Sequence, residues 1–154
     1  SSEGGQLLFK LPDNILFMTR VLEGTFPPYN KIIPTSYATR VVFGEEELLK
    51  TVRAASLFAR SGAAVLKMNI DSAGGVVKLS SATEQVGTYN GELSGKIEGS
   101  DNLIAFNSKY LLDFLGHLKS NQVILEMNAS QQPSVWKVLE HPDYLHVIMP
   151  VRTE

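Results

Sequence analysis

Three histidines, a run of three glutamates, two adjacent glycines and two serine-bearing turns are the groups in this chain that could do chemistry. Their spacing argues against each in turn. His117, His141 and His146 show no helical pair spacing of the kind that holds zinc. His117 falls near a predicted helix C-terminus, where an imidazole caps or is solvated. His141 precedes Pro142 in a predicted loop, and His146 points opposite Val147 on the predicted last strand. Glu45-Glu46-Glu47 suits a helix start better than a metal site, because carboxylates there meet the positive end of the helix dipole. Gly74-Gly75 reads as a hairpin turn, since no helix follows to cradle a phosphate. Ser61-Gly62 and Ser72 lack the strand–turn–helix setting of a nucleophile elbow. With no cysteine in 154 residues, disulfides, thiolate nucleophiles and cysteine-ligated zinc are excluded. The reading is of a non-enzyme: no convergent acid, base and nucleophile, no metal site and no cofactor.

What remains is chemistry of recognition. The last eleven residues, Tyr144-Leu-His-Val-Ile-Met-Pro-Val-Arg-Thr-Glu154, stay apolar almost to the end, whereas an untethered terminus is usually polar and frayed. An apolar strand running into Met149-Pro150-Val151 beside the fixed charge of Arg152 suits the wall of a binding groove. Taken alone, the same segment equally well completes a sheet.

The elements that would position such a wall are those of an α+β domain. Gln6–Leu11 and Ile15–Leu22 flank the turn-forming Pro12-Asp13-Asn14 and read as a β-hairpin, which is marginal in water without something to pack on. Phe26-Pro27-Pro28-Tyr29 to Pro34 reads as an extended connector, because each proline fixes its own φ and biases the residue before it away from helix. Thr39–Phe43 is a predicted strand, followed by a helix over Glu45–Arg60 with Leu48, Val52, Ala55 and Ala59 inward and Lys50 and Arg53 on another face. Ala64–Ile70 and Val76–Ser80 form a second predicted hairpin, and Gln85–Leu93 and Leu103–Phe106 are further strands. Ser108 is the expected N-cap of a second helix, Lys109–Lys119, with Leu111, Leu115 and Leu118 facing the core. Val123–Met127, Val135–Val138 and Leu145–Val151 complete an antiparallel sheet. Two βαβββ halves emerge, with both helices on one face.

Bulk properties narrow the class further. The chain is long enough for one sizeable core. Fourteen basic residues against sixteen acidic ones disfavour a domain that grips duplex DNA, since phosphate neutralisation demands a basic excess. No apolar run approaches a bilayer span, and the Ser/Glu/Gly start is not a signal peptide. A cytoplasmic protein without a membrane partner is expected.

Three strings in register carry a resemblance: Thr19-Arg-Val-Leu-Glu-Gly-Thr-Phe-Pro-Pro-Tyr-Asn-Lys-Ile-Ile-Pro34, Ile104-Ala-Phe-Asn-Ser-Lys-Tyr-Leu-Leu-Asp-Phe-Leu115 and Val147-Ile-Met-Pro-Val-Arg152, with Ala54-Ala-Ser-Leu-Phe-Ala-Arg60 between them. Together they closely resemble the bacterial DNA sliding clamp, the beta subunit of the DNA polymerase III holoenzyme. That family's protomer has three similar domains. The resemblance implies that residues 1–36 are the end of the middle domain plus linker, that 37–154 are the third domain, and that the chain is a fragment of such a protomer. It implies a homodimeric ring around double-stranded DNA, held without sequence preference. It also implies a groove that binds short linear peptides of the polymerase, the clamp loader and repair proteins. On the matching positions the groove takes Pro27, Lys31 and Ile32 from the connector, Asn107 and Tyr110 from the second helix entrance, Gln132 and Pro133 from the following loop, and Val147, Met149, Pro150, Val151 and Arg152 from the tail.

By the same resemblance Lys50, Arg53, Lys109 and Lys119 face DNA, although a solvated helix face with Glu46 and Glu47 pairing with Lys50 is the simpler account of any one of them. Leu57, Phe58, Thr88, Asn90 and Glu92 fall at the expected contact between protomers. Family members carry an acidic edge there, whereas Gln85–Leu93 holds only Glu92. Strand pairing and packing would therefore replace ion pairs in closing the ring. A stand-alone peptide-binding adaptor that does not encircle DNA is the alternative reading.

Overall fold

The computed structural model describes residues 5–59, 64–83 and 87–153. β1 (Gln6–Lys10) and β2 (Leu16–Arg20) form an antiparallel ribbon with Phe9 opposite Phe17. Its turn puts Asp13 and Asn14 at φ of 61° and 56°, a region these two types tolerate better than most side-chain-bearing residues. Every residue of both strands is exposed, Phe9 to 48% and Phe17 to 55%.

The body follows as β3 (Thr39–Gly44), α1 (Glu45–Leu57), β4 (Val65–Asp71), β5 (Val76–Thr83), β6 (Gly87–Ser94), β7 (Lys96–Gly99), β8 (Asn102–Asn107), α2 (Ser108–Leu115), β9 (Gln122–Met127), β10 (Ser134–Val138) and β11 (His141–Ile148). Both βαβββ halves are present, β3 to β6 and β8 to β11, with the short β7 between them. The α+β class holds, but the strands divide between two antiparallel sheets, ordered β11-β10-β9-β3-β7 and β6-β5-β4-β8. On β4 and β5 the buried residues alternate with polar ones (Leu66, Met68 and Ile70; Val77 and Leu79), as strands with one wet face require. These side chains meet Leu48, Val52 and Ala55 of α1, Leu111, Phe114 and Leu115 of α2, and Val123, Leu125 and Trp136 of the other sheet in one core. Ser81 donates from its buried hydroxyl to the Ala55 carbonyl at 2.7 Å, fixing α1 on β5.

Several boundaries differ from the sequence expectation, each for a local reason. α1 ends at Leu57, where Phe58 N–H closes back on the Ala55 carbonyl at 3.1 Å and tightens the last turn; Arg60, the expected end, and Gln85, the expected start of β6, lie outside the described residues, as does Ser61. β7 was not anticipated, being four residues long, half of them charged, and flanked by Gly95. At its other end Gly99 sits at φ +99°, and a β-carbon there would stand 1.9 Å from the Ala38 carbonyl oxygen, so only glycine lets β3 and β7 approach. α2 is half a turn or more shorter than expected, ending before Gly116, and its N-cap is Asn107 rather than Ser108. The asparagine carboxamide oxygen accepts from Lys109 N–H at 2.9 Å, while Ser108 is buried in the first turn.

β11 begins at His141 rather than Leu145. Pro142 is tolerated because β11 is an edge strand, where a missing N–H breaks no ladder. Its pairing jumps from Leu145 opposite Lys137 to His141 opposite Val138, leaving Pro142-Asp143-Tyr144 as a bulge. The strand ends at Ile148 instead of Val151, and the tail then crosses to the second sheet, Val151 N–H donating to the Ala105 carbonyl of β8 at 2.8 Å.

Candidate functional site

The proline-rich connector is not extended throughout. Tyr29–Lys31 form one turn of 3-10 helix, closed by Ile32 N–H donating to the Tyr29 carbonyl at 2.9 Å. Pro27 and Pro28 precede it with φ already near the helical value. Downstream, Asn128 donates its carboxamide N–H to the Ser36 carbonyl at 2.9 Å, and Ala38 N–H donates to the Met127 carbonyl at 3.0 Å. The connector is thus stitched to the end of β9 before β3 starts.

Between that turn and β11 lies a cleft of about 620 Å³ lined by Tyr29, Ile32, Ile33, Asp143, Leu145, Val147 and Met149. Leu145 and Val147 share a face of β11 by strand alternation, and Met149 extends that line beyond the strand. A buried relay holds the strand's end in place: the Trp136 indole N–H donates to the Ser134 hydroxyl at 3.2 Å, which donates to the Ile148 carbonyl at 3.0 Å. Met149 is 57% exposed, so a soft, adaptable side chain stands at the mouth. An apolar trough of this size accepts aliphatic or aromatic side chains of a ligand.

Of the residues expected at this site, Ile32, Val147 and Met149 line the cleft. Lys31 lies on the turn that makes its wall and Pro27 just before that turn, both exposed. Val151 and Pro150 form the part-buried crossing to β8, and Arg152 follows exposed beyond them. Asn107 and Tyr110 lie at the entrance of α2, two and five residues beyond the Ala105 carbonyl that anchors the tail. Tyr110 is 57% exposed, and Asn107 spends its carboxamide oxygen on the cap. Gln132 is exposed and Pro133 part-buried on the loop before β10. None of Asn107, Tyr110, Gln132, Pro150, Val151 and Arg152 lines the cleft itself. Tyr29, Ile33, Asp143 and Leu145 were missed. The alternation of Leu145 with Val147 was the available signal for Leu145.

A second cleft, of about 640 Å³, is lined by His117, Leu118, Lys119, Val138, His141, Asp143 and Tyr144. His117 Nδ1 lies 2.6 Å from the Asp113 carbonyl, a helix-end contact of the structural kind expected. His146 stacks on Phe114 with ring centroids 4.7 Å apart, and burial holds its imidazole below the usual range. Among the described residues no group of three His, Cys, Asp or Glu could hold a metal ion.

Lys50 and Arg53 are exposed on α1, but Lys50 is paired with Glu46 at 2.6 Å, and its ammonium holds the Glu46 carboxyl below the ordinary range by hydrogen bonding. Lys109 is exposed on α2. Lys119 lies past the end of that helix, at the second cleft rather than on a helix face. Thr88, Asn90 and Glu92 are exposed on β6, an edge strand paired only with β5. Glu92 stands 3.9 Å from Lys78. Phe58 packs on Tyr89 of that edge at 5.7 Å, and Leu57 beside it is exposed.

Two antiparallel sheets, two helices and the βαβββ repeat make this a domain of the DNA clamp class. The family model described as DNA polymerase III beta subunit, C-terminal domain, matches residues 30–152, and the chain belongs to that family. It is 32% identical over 150 residues to the beta sliding clamp of Staphylococcus aureus, covering 96% of this chain and 39% of that protein. The DNA polymerase III beta chain of Streptococcus pneumoniae superposes with a TM-score of 0.85 at 31% identity, covering 99% of this chain and 41% of its own. The Thermotoga maritima beta subunit gives the same TM-score, 0.85, at 27% identity and the same coverage. The chain therefore spans about two fifths of the length of the relatives it matches. No helix among the described residues is long and apolar enough to cross a membrane.

Proposed function

We propose that this chain serves as the third-domain portion of a processivity clamp in bacterial DNA replication. In this reading a non-catalytic homodimeric ring encircles double-stranded DNA in the cytoplasm and tethers the polymerase, clamp loader and repair proteins through short linear peptides. Residues 1–36 are the end of the preceding domain and its linker, and 37–154 the C-terminal domain. The exposed apolar ribbon β1–β2 supports that division, because two strands alone are marginal and this one buries nothing.

The observation that carries the proposal is the apolar cleft between the Tyr29–Ile33 turn and Leu145–Met149, in a chain of the clamp family. A peptide Leu or Phe fills the trough. In this reading Tyr110 and Arg152, outside the trough itself, donate hydrogen bonds to the peptide backbone or a carboxylate, and Pro27, Lys31, Asn107, Gln132, Pro133, Pro150 and Val151 form the rim. Arg53 and Lys109, with Lys50 released from Glu46, supply the mild positive lining that sliding requires; Lys119, past the end of α2, does not share that face. The free edge of β6, through Thr88, Asn90 and Glu92 with Leu57 and Phe58 beside it, pairs with the neighbouring protomer by backbone hydrogen bonds.

Titration of a labelled peptide carrying Leu and Phe anchors tests the groove. Val147→Asp or Met149→Asp places an unpaired carboxylate in the trough and is expected to weaken binding by at least about tenfold, since stranding a charge costs upwards of a kcal/mol or two. Unchanged affinity in both variants sinks the assignment.

A further inference from the structure

We propose that Asp143 is a specificity determinant of this groove, selecting ligands that carry a lysine or arginine beside their apolar anchors, at the end remote from Arg152. The inference rests on the peptide-groove reading above and names the chemistry of the partner that the groove prefers.

Three observations converge on this residue. First, Asp143 is the one charged side chain among the seven residues that line the cleft, the rest being Tyr29, Ile32, Ile33, Leu145, Val147 and Met149. Second, it sits in the Pro142-Asp143-Tyr144 bulge, where the register slips between Lys137 and Val138. Bulges on edge strands re-aim side chains next to binding sites, and Asp143 accordingly borders both clefts. Third, its carboxylate has no ion pair or hydrogen bond among those of the described residues. The nearest cation on the neighbouring strand, Lys137, opposite Leu145, is already held by Glu126 at 2.6 Å.

The spacing sets the length of the ligand. Met149 lies six positions beyond Asp143, roughly 20 Å of extended chain at strand rise, less whatever the bulge takes up. An extended peptide of about six residues therefore presents one end to Asp143 and the other to Met149, where the tail leaves β11 for β8. Within the cleft lining the formal charge is negative and sits at Asp143, while Arg152 lies on the tail beyond Met149. A ligand with a cation at the Asp143 end is complementary, and one with a carboxylate there is repelled. A charge at an exposed position acts mainly on partner choice and encounter rate rather than on raw affinity. Lys119, which lines the second cleft with Asp143, favours a ligand cation that stops at Asp143 and does not pass it.

The test uses the 154-residue chain and a series of labelled peptides with common Leu and Phe anchors, bearing Lys, Ala or Glu at one flank or the other. At one flank only, the Lys peptide is expected to bind about fivefold more tightly than the Glu peptide, the upper range for an exposed ion pair. That ratio should shrink in about 0.5 M salt as screening shortens the reach of the charge. Asp143→Asn should level the series, and Asp143→Lys should invert it. Equal affinities at both flanks, or a Lys preference that survives Asp143→Asn, overturn the assignment while leaving the groove intact. Failure of the groove itself has a different signature: no peptide of the series binds saturably, or Met149→Asp leaves all of them unaffected, and the selectivity claim then falls with it.

Discussion

The ribbon β1–β2 and the body from β3 to β11 are built from the same kind of strand, and only one of them buries its side chains. Leu7, Phe9, Phe17 and Val21 alternate along the ribbon as Leu66, Met68 and Ile70 do along β4. The first group is exposed and the second is fully enclosed. Period-two alternation fixes which residues share a face; it does not supply the layer that covers that face. In the body that layer is α1, α2 and the opposing sheet. In the proposed clamp it would come, for the ribbon, from the rest of a preceding domain.

The sharpest way to test the contrast is to remove a large side chain from the covered region. Trp136 is fully buried, touches Phe106 and Phe114, and anchors the relay to Ile148. Trp136→Ala should cost about 3–5 kcal/mol, read as a lower midpoint in urea unfolding. It should also loosen the proposed peptide groove, because Ser134 loses the indole that helps fix its hydroxyl on the β11 end. A loss under about 1 kcal/mol would mean that the enclosed core is not the source of the body's stability.

A smaller effect follows at the edge of the body. Asn107→Ala deletes the cap that accepts from Lys109 N–H and should cost about 1 kcal/mol, whereas Ser108→Ala leaves that cap in place. The pair discriminates between the two residues that sequence reasoning had interchanged. A larger loss of peptide affinity than of stability in Asn107→Ala would assign the side chain a ligand contact as well.

His146 supplies a pH-dependent version of the same test. Burial against Phe114 keeps its folded imidazole below the ordinary value, so the unfolded chain takes up the proton first as acidity rises. The neutral ring's contribution is complete above a pH of about 6.5, the unfolded value, and declines as pH falls from there through the lower folded value. His146→Phe should flatten stability across that interval. The change is expected to be smaller than the cap's because the ring is only partly buried. An unaltered slope in the variant would show that other groups carry the acid sensitivity, Asp101 and Glu140 being candidates at lower pH. Hydrogen bonds from Ser72 and from Ser120, respectively, hold those two carboxyls below their usual range.

How much of this was legible beforehand depends on whether the signal is local. The inward residues of α1 and the two hairpins could be read because their periods are complete within one segment. The division into two sheets could not, since it depends on which strands pair across the chain: β3 sits between β9 and β7, more than fifty residues away from either. β7 was too short and too charged to stand out. The early start of β11 was hidden by Pro142, which argues against a strand only where the strand is central. At the cleft, Ile32 was placed through the family resemblance alone, and Val147 and Met149 through that resemblance and the apolar character of the tail. Asp143 was not, because a bulge, rather than the residue's type, turns it toward the cleft.

The smallest expected effect bears hardest on the comparison. Phe9→Ser and Phe17→Ser each remove an aromatic ring from a ribbon in which the two rings face one another at 6.0 Å and little else covers them. Burial of apolar area is what makes such a ring stabilising, and here that area is already wet in the folded chain. Each substitution should therefore shift the body's unfolding free energy by less than about 0.5 kcal/mol, as for other surface changes, and should leave peptide binding through the Leu145–Met149 trough unaltered. The same two substitutions in a protein that supplies the covering domain should cost about 3 kcal/mol or more, the ordinary toll of deleting a buried Phe. A large loss in the present chain would mean that the ribbon folds against the body in solution; a negligible loss in both would mean that nothing packs on it at all, and residues 1–36 would then need another account.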